Sequence, residues 1–293
     1  MAEATIPVDL LNPGQVFACL GFMEAAEVLL GEAEAGIDWA DGPARFTLRA
    51  AGDEDPIRHV LGFLARAEVV ALAPPGSALP EAKWKVGAET VEGDAFPVAR
   101  PDSPATLPVR LRGADGREIA VDHWADATRR DAVKFWAGAQ GKPGAAFLKD
   151  AVQLFADFVG QISSNPFEFS RAQSGGFRFD WRREYVPLDA GFSPNEHKSS
   201  LTMVGFPVVE ALAAIGLTHA RPERLDRLRY RYGVLGGAPV DPLFHRAALG
   251  APAAPVPGRP FRRFSMRLDW PGQEGQARCI TDVREETPDD ADA

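Results

Sequence analysis

The chain has 293 residues, of which 45% are hydrophobic and 25% charged, and this composition excludes a disordered or fibrous protein. Its formal net charge of −9 argues against a protein that binds nucleic acid indiscriminately. The sequence has no apolar run of about 20 residues and no basic N-terminal segment, so we expect neither a membrane span nor a secretory signal. The two cysteines lack the spacing of a zinc site, and the whole pattern is that of a cytoplasmic protein.

The first predicted element is an apolar helix over residues 13–30, in which we expect Cys19 to be a buried free thiol. Asn12 supplies the N-cap of this helix, and Gln15 at N3 can complete a capping box. Gly31 can close the helix.

Two short strands around the turn ADGPA follow, and a second helix starts at Asp55 and covers residues 56–70. Residues 73–105 lack a sustained period and predict a long loop with a few short strands. Alternating apolar residues on both sides of the turn GADGR predict a hairpin. The amphipathic stretch AAFLKDAVQLFADFVGQI predicts a helix through residue 162.

Alternating rings and charges in FRFDWRREY, which begins at Phe177, predict a strand with one charged face. A short helix, FPVVEALAAIGL, comes next. RLDRLRYRYGVL and RPFRRFSMRLDW predict two strands that carry arginines, and the acidic end of the chain is expected to fray. The predicted fold class is therefore α+β, with mixed helices and mostly antiparallel strands, and the sequence leaves its topology open.

Charge and predicted elements divide the chain into three portions. Residues 1–170 form an N-terminal α+β portion, residues 171–270 a basic and strand-rich portion, and residues 271–293 an acidic, flexible tail. The first two could also form one integrated domain. Residues 171–270 contain 15 Lys/Arg and 9 Asp/Glu, so a basic segment is embedded in an acidic protein.

Catalytic signatures are missing from the sequence, which has no G-x-S-x-G, no Walker lysine loop, no H-E-x-x-H and no zinc-deaminase motif. We therefore expect no catalytic residue, no metal and no cofactor. The polar stretch SPNEHKSS favours a helix start, because Ser193 and Glu196 satisfy a capping box. His197 and Lys198 then lie on a first turn whose amide groups favour anions.

The basic segment interleaves arginines with aromatic rings, a pattern typical of phosphate and base contacts. In a strand, alternate residues share a face, so the arginines of RLRYRYG are expected to line one side. The opposing interpretation is that these arginines only decorate solvated strands. The candidate phosphate or flanking-motif contacts are Arg178, Arg182, Arg183, Lys198, Arg229, Arg231, Arg262 and Arg263.

Four stretches together resemble a protein family encoded in subtype I-U (I-G) CRISPR–Cas loci, and the resemblance covers nearly the whole chain. They are IPVDLLNPGQVFACLGFMEAAEVLLG, VKFWAGAQG, FRFDWRREYVPLDAGFSPNEHKSS and FPVVEALAAIGLTHARP. The resemblance implies a shortened large subunit of an RNA-guided surveillance complex of the Cascade type, without catalysis of its own.

In such complexes, base pairing reads the target sequence while protein reads the short protospacer-adjacent motif and the backbone. The implied partners are the other subunits of the CRISPR RNA-containing effector complex, target double-stranded DNA and the helicase–nuclease, with no membrane. Large subunits of related systems are usually longer and end in a helical bundle, whereas the last third of this chain reads as strands and loops.

Two other functions stay open. The protein could be a purely structural bridge, whose acidic face docks on basic neighbours and whose arginines meet protein carboxylates. It could also be a metal-dependent nuclease that uses Asp180, Glu184 and His197.

Overall fold

The computed structural model describes residues 1–75, 86–92, 107–123, 143–173, 175–183, 203–269 and 278–287. These residues form helices and mostly antiparallel sheets, which confirms the predicted α+β class. The helices are α1 (Pro13–Leu30), α2 (Pro56–Leu64), α3 (Gly144–Ala156), α4 (Pro207–His219) and α5 (Pro242–Leu249). The strands are β1 (Ala2–Pro7), β2 (Glu34–Asp38), β3 (Arg45–Ala50), β4 (Glu68–Ala73), β5 (Gly87–Thr90), β6 (Val109–Arg112), β7 (Glu118–Val121), β8 (Arg171–Ala172), β9 (Val204–Gly205), β10 (Glu223–Arg224), β11 (Arg229–Leu235), β12 (Phe261–Asp269) and β13 (Cys279–Glu285).

The strands form four sheets in the described part of the chain. Three strands make an antiparallel sheet in the order β1-β3-β2, and β8 pairs with β9. A second sheet has the order β5-β4-β6-β7, in which β4 and β5 run parallel. The fourth sheet, β10-β11-β12-β13, is wholly antiparallel and carries most of the nominated arginines.

The centre of the core is the close packing of α1 on α4. Two glycines permit it, because a Cβ on Gly21 would stand 1.9 Å from the carbonyl oxygen of Leu212. A Cβ on Gly216 would stand 2.2 Å from the carbonyl oxygen of Phe17. The backbones of the two helices therefore touch at these points.

Helix α1 is also the one described helix whose 18-residue length and mean hydropathy of 1.2 would suffice to cross a membrane. In this fold, 83% of it is buried against other elements, so it is the core helix here. One cluster of buried residues extends from Ile6 to Ile280, and the predicted portions 1–170 and 171–270 thus share a single hydrophobic core.

The start of α1 corrects a detail of the prediction. The helix begins and ends at the predicted residues, but Asn12 makes no side-chain cap. Gln15 accepts the backbone N–H of Asp9 at 2.8 Å instead of completing a capping box. Cys19 is a buried free thiol as predicted, and its burial raises the pKa of the thiol well above its ordinary value.

Two predicted helices are too long. Helix α2 ends at Leu64, and Glu68 begins β4, whose backbone groups bond to β5 and β6 on either side. Helix α3 ends at Ala156, and a separate 3₁₀ turn, Val159–Gln161, takes the place of its predicted last turn. The predicted hairpin is confirmed as β6 and β7.

The expectation of a flexible tail from residue 271 is wrong for Cys279–Glu285. These residues form β13, which pairs with β12 from Phe264 to Asp269, and Cys279 and Ile280 are buried. Apolar residues at the start of the strand hold it in the core, while acids at its end reach arginines of the sheet. Residues 288–293 lie outside the described part of the chain.

Candidate nucleic-acid interface

The side of the β10–β13 sheet that faces away from the core carries a set of arginines, and we call it the outer face. Tyr230 and Tyr232 of β11 are buried, whereas Arg229 and Arg231 alternate with them on the outer face. This arrangement confirms that the arginines of RLRYRYG share one side. In the antiparallel register, Arg229 lies directly opposite Arg267 of β12.

Three arginines of the outer face reach far into solvent: 67% of the Arg229 side chain, 60% of Arg267 and 74% of Arg284 is exposed. Each contacts an acid nearby in the sequence; Arg229 Nε lies 2.5 Å from Asp226 and Arg284 Nε lies 2.7 Å from Asp282. Exposed pairs of this kind contribute at most about 1 kcal/mol. A phosphate group can therefore compete for these arginines.

Two other nominated arginines hold the sheet to the end of β13. Arg231 Nε donates to Glu286 at 2.6 Å, and Arg263 Nε donates to the same carboxylate at 2.9 Å. Burial opposes the charge of Arg231, but the hydrogen bond and charge of Glu286 outweigh it and raise the pKa of Arg231. Arg231 and Arg263 are thus occupied by an internal acid.

Arg262 lies on the opposite side of the sheet from its neighbour Arg263. It binds Glu285 through two nitrogens, with Nε at 2.6 Å, and its guanidinium lies over the rings of Trp39 and Phe264 at 5.6 and 5.3 Å. The hydrogen bond from Arg262 lowers the pKa of Glu285. The prediction treated the two neighbouring arginines alike, but strand alternation separates them.

The predicted strand at FRFDWRREY is wrong for residues 177–183, the part of this stretch that the structure describes. Residues 175–180 form an irregular segment that wraps around the buried carboxylate of Glu210 on α4. That carboxylate accepts the backbone N–H groups of Arg178, Phe179 and Asp180 at 2.8, 2.9 and 3.2 Å. Arg178 adopts a φ of 72°, a left-handed conformation that a paired strand does not use. The backbone N–H groups that would pair with a neighbouring strand donate to Glu210 instead.

Arg182 is enclosed by internal partners. It donates to both carboxylate oxygens of Asp180 at 2.9 and 2.7 Å, and to Glu168 at 2.7 Å. It also donates to the carbonyl oxygen of Phe167, and its guanidinium lies 3.7 Å from the ring centre of Phe206. These contacts commit the guanidinium to the fold, and this structural role competes directly with a role in DNA binding.

Asp180 is equally committed, since it is fully buried and also accepts a hydrogen bond from Asn12 at 3.0 Å. This carboxylate is a poor metal ligand for the nuclease alternative because its oxygens are already bonded. Within the described residues, no group of three His, Cys, Asp or Glu side chains could hold a metal ion. Glu184 and His197 lie outside the described residues.

The remaining nominated residues can be placed only in part. Arg183 ends a 3₁₀ turn, Trp181–Arg183, and its side chain is outside the described part of the structure. Lys198 and the capping box at Ser193 lie outside the described residues altogether.

The prediction missed the two most useful exposed arginines of β12 and β13, Arg267 and Arg284. A signal for Arg267 was present, because it follows Arg263 by four residues and a strand returns to the same face every second residue. Arg284 lay in the segment expected to fray.

No protein-family model, curated protein or solved structure matches this chain.

Proposed function

We propose that the protein is a non-catalytic subunit of a CRISPR RNA-guided surveillance complex, in which it helps recognise the protospacer-adjacent motif and bind target DNA. The observation that carries this proposal is the set of exposed arginines on the outer face, Arg229, Arg267 and Arg284. The resemblance of four stretches to the subunit family of subtype I-U (I-G) loci supports the assembly in which these arginines would act.

The electrostatics suit a subunit that binds DNA in an assembly and not alone. Exposed arginines neutralise phosphates and release counterions, which gives affinity without sequence information. The net charge of −9 disfavours DNA elsewhere on the protein. An assembly that brings the outer face to the duplex would therefore orient the protein as well as strengthen its binding.

The test is the salt dependence of target binding by the complex co-purified with the other products of its operon. Neutralising two arginines in Arg229→Gln/Arg267→Gln should lower affinity for a labelled target duplex. The slope of log affinity against log salt should become shallower by about 1.8, since each phosphate contact contributes about 0.9. The matched control is Arg45→Gln/Arg66→Gln, which removes the same charge from two exposed positions outside the β10–β13 sheet. Equal slopes in the two variants would exclude the outer face as a DNA contact.

A structural bridge is the second candidate, and the neutralisation of Arg231, Arg262 and Arg263 by Glu285 and Glu286 favours it. Arginines that already meet carboxylates in this chain have less to offer a phosphate. Comparing complexes with and without this subunit, on duplexes with and without the correct flanking motif, separates the two functions. Unchanged discrimination after removal of the subunit would support the bridge.

A further inference from the structure

Arg171, at the start of β8, lies against two phenylalanine rings. Its guanidinium carbon is 3.7 Å from the ring centre of Phe158 and 4.8 Å from that of Phe169. The two ring centres are 6.3 Å apart and the rings are tilted by 40°. These distances place the two ring centres at nearly a right angle as seen from the guanidinium carbon.

The same side chain has no acidic partner among the described residues. Its Nε is buried without a hydrogen-bond partner, whereas the residue as a whole is only partly buried. The nominated arginines of the outer face differ in this respect, since each contacts a carboxylate. An arginine that is held against two rings and has no acid to neutralise it among the described residues is suited to bind an anion.

Two features suit Arg171 to bind an anion. Stacking on aromatic rings restricts the guanidinium to one orientation, so little further freedom is lost when a ligand binds. Its partner across the ribbon, Gly205, has no side chain that could cover it. A planar fork of N–H groups matches two oxygens of a phosphate.

We propose that Arg171 binds one backbone phosphate of a nucleic-acid strand, at a site separate from the outer face. The choice of a phosphodiester rests on the proposed function, whereas the anion site itself rests on the geometry of Arg171. The site would add a second point of contact, fixing the direction of a strand that the outer face alone could bind in several registers.

The first experiment measures target binding by the co-purified complex over a salt series for three variants. Arg171→Gln should weaken binding by about tenfold and make the salt slope shallower by 0.7–0.9, the contribution of about one phosphate contact. Arg171→Lys keeps the charge but loses the fork, so its slope should stay near that of the unmodified protein while its affinity falls. Arg45→Gln is the control for charge, and thermal unfolding checks that each variant is folded.

The second experiment uses the co-purified complex and the arginine reagent phenylglyoxal, with modification of Arg171 measured by mass spectrometry. Single-stranded DNA or RNA of about 20 nucleotides, longer than a single-strand binding site of about 4–16 nucleotides, should protect Arg171. The DNA and RNA arms identify which strand is bound. Protection by inorganic phosphate alone, with none by either strand, would overturn the phosphodiester assignment.

The outcomes separate this inference from the proposed function. If Arg171→Gln binds like Arg45→Gln and no strand protects Arg171, the inference is wrong, even where Arg229→Gln/Arg267→Gln weakens binding. If that double variant has no effect while a strand still protects Arg171, the outer face is excluded and the Arg171 site stands.

Discussion

The side chain of Asn12 donates a hydrogen bond from Nδ2 to Oδ1 of Asp180 at 3.0 Å, and both residues are fully buried. Asn12 stands at the N-cap of α1 yet makes no cap with its side chain. It holds a segment 168 residues away in the sequence. Close by, a Cβ on Gly14 would stand 2.6 Å from the carbonyl oxygen of Phe179, so backbone and side chain fix the same contact.

Replacing Asp180 by alanine should destabilise the fold strongly. The change leaves Arg182 with half of its bonds and Asn12 without its acceptor. Removing one partner of a buried ion pair costs about 3–5 kcal/mol, and we expect a loss in this range in the free energy of unfolding measured with urea. The control Asp282→Ala removes the exposed partner of Arg284 and should change stability by less than about 0.5 kcal/mol. Similar losses in both variants would contradict the structural role of Asp180.

Glu210 organises the neighbouring backbone, and Glu210→Gln should loosen it locally. The glutamine amide places an N–H₂ group where a carboxylate oxygen now accepts from Arg178, Phe179 or Asp180. Amide hydrogen exchange at these three residues should accelerate, with a loss of about 2 kcal/mol in global stability. Glu3→Gln, at an exposed ion pair on β1, should leave exchange at the three amides unchanged. Unchanged exchange in Glu210→Gln would show that its carboxylate does not hold the segment.

Alternation of aromatic and charged residues predicted two strands, of which one is correct and one is wrong. The comparison shows what this pattern cannot predict. RLRYRYG and FRFDWRREY have the same alternation of rings and charges. The first becomes β11 because β12 supplies a complete antiparallel partner. FRFDWRREY instead donates three of its backbone N–H groups to the carboxylate of Glu210. Local pattern cannot distinguish these outcomes, since both partners are distant in the sequence.

The same limit applies to the candidate interface. The sequence predicted which arginines share a face of β11, because side-chain direction follows from strand period alone. The sequence could not predict which candidate arginines bind an internal acid. Arg231 donates to Glu286, which is 55 residues away in the sequence, and Arg182 donates to Glu168. Arginines in exposed ion pairs and arginines held by an internal acid look alike in a sequence. The position and burial of the carboxylate partner in the fold decide whether an arginine can also bind a phosphate.

Two glycine-to-alanine changes in helices should have opposite effects. Alanine has the higher helix propensity, by about 1 kcal/mol, so the change stabilises a helix wherever there is room for a methyl group. Gly62→Ala on α2 meets only the Arg66 guanidinium, at 3.5 Å, and should be neutral or stabilising. Gly21→Ala on α1 meets the Leu212 backbone at 1.9 Å and should destabilise by about 3 kcal/mol or more, because α1 and α4 must separate. Thermal unfolding of both variants checks this; equal midpoints would contradict the helix contact.

The buried imidazole of His245 should make the protein sensitive to mild acid. Its Nε2 donates to the carbonyl oxygen of Ala35 at 2.8 Å, and burial lowers its pKa to about 4 from an ordinary value of 6.5. Between these values the unfolded chain binds a proton that the folded protein does not, so this contribution to stability is complete above pH 6.5 and is lost as the pH falls towards 4. From pH 7 to 4.5 the loss should be roughly 2–3 kcal/mol.

His245→Gln removes the titrating group while keeping an N–H donor for Ala35. Urea unfolding at pH 7 and 4.5 should therefore give a smaller acid loss in the variant than in the unmodified protein. Carboxylates with lowered pKa, such as Glu285, lose stability over a similar range in both proteins, so the difference between the two isolates His245. His219, whose pKa burial also lowers, remains in both and leaves some dependence on pH in the variant. An identical acid loss in the two proteins would mean that His245 is not held neutral by the fold.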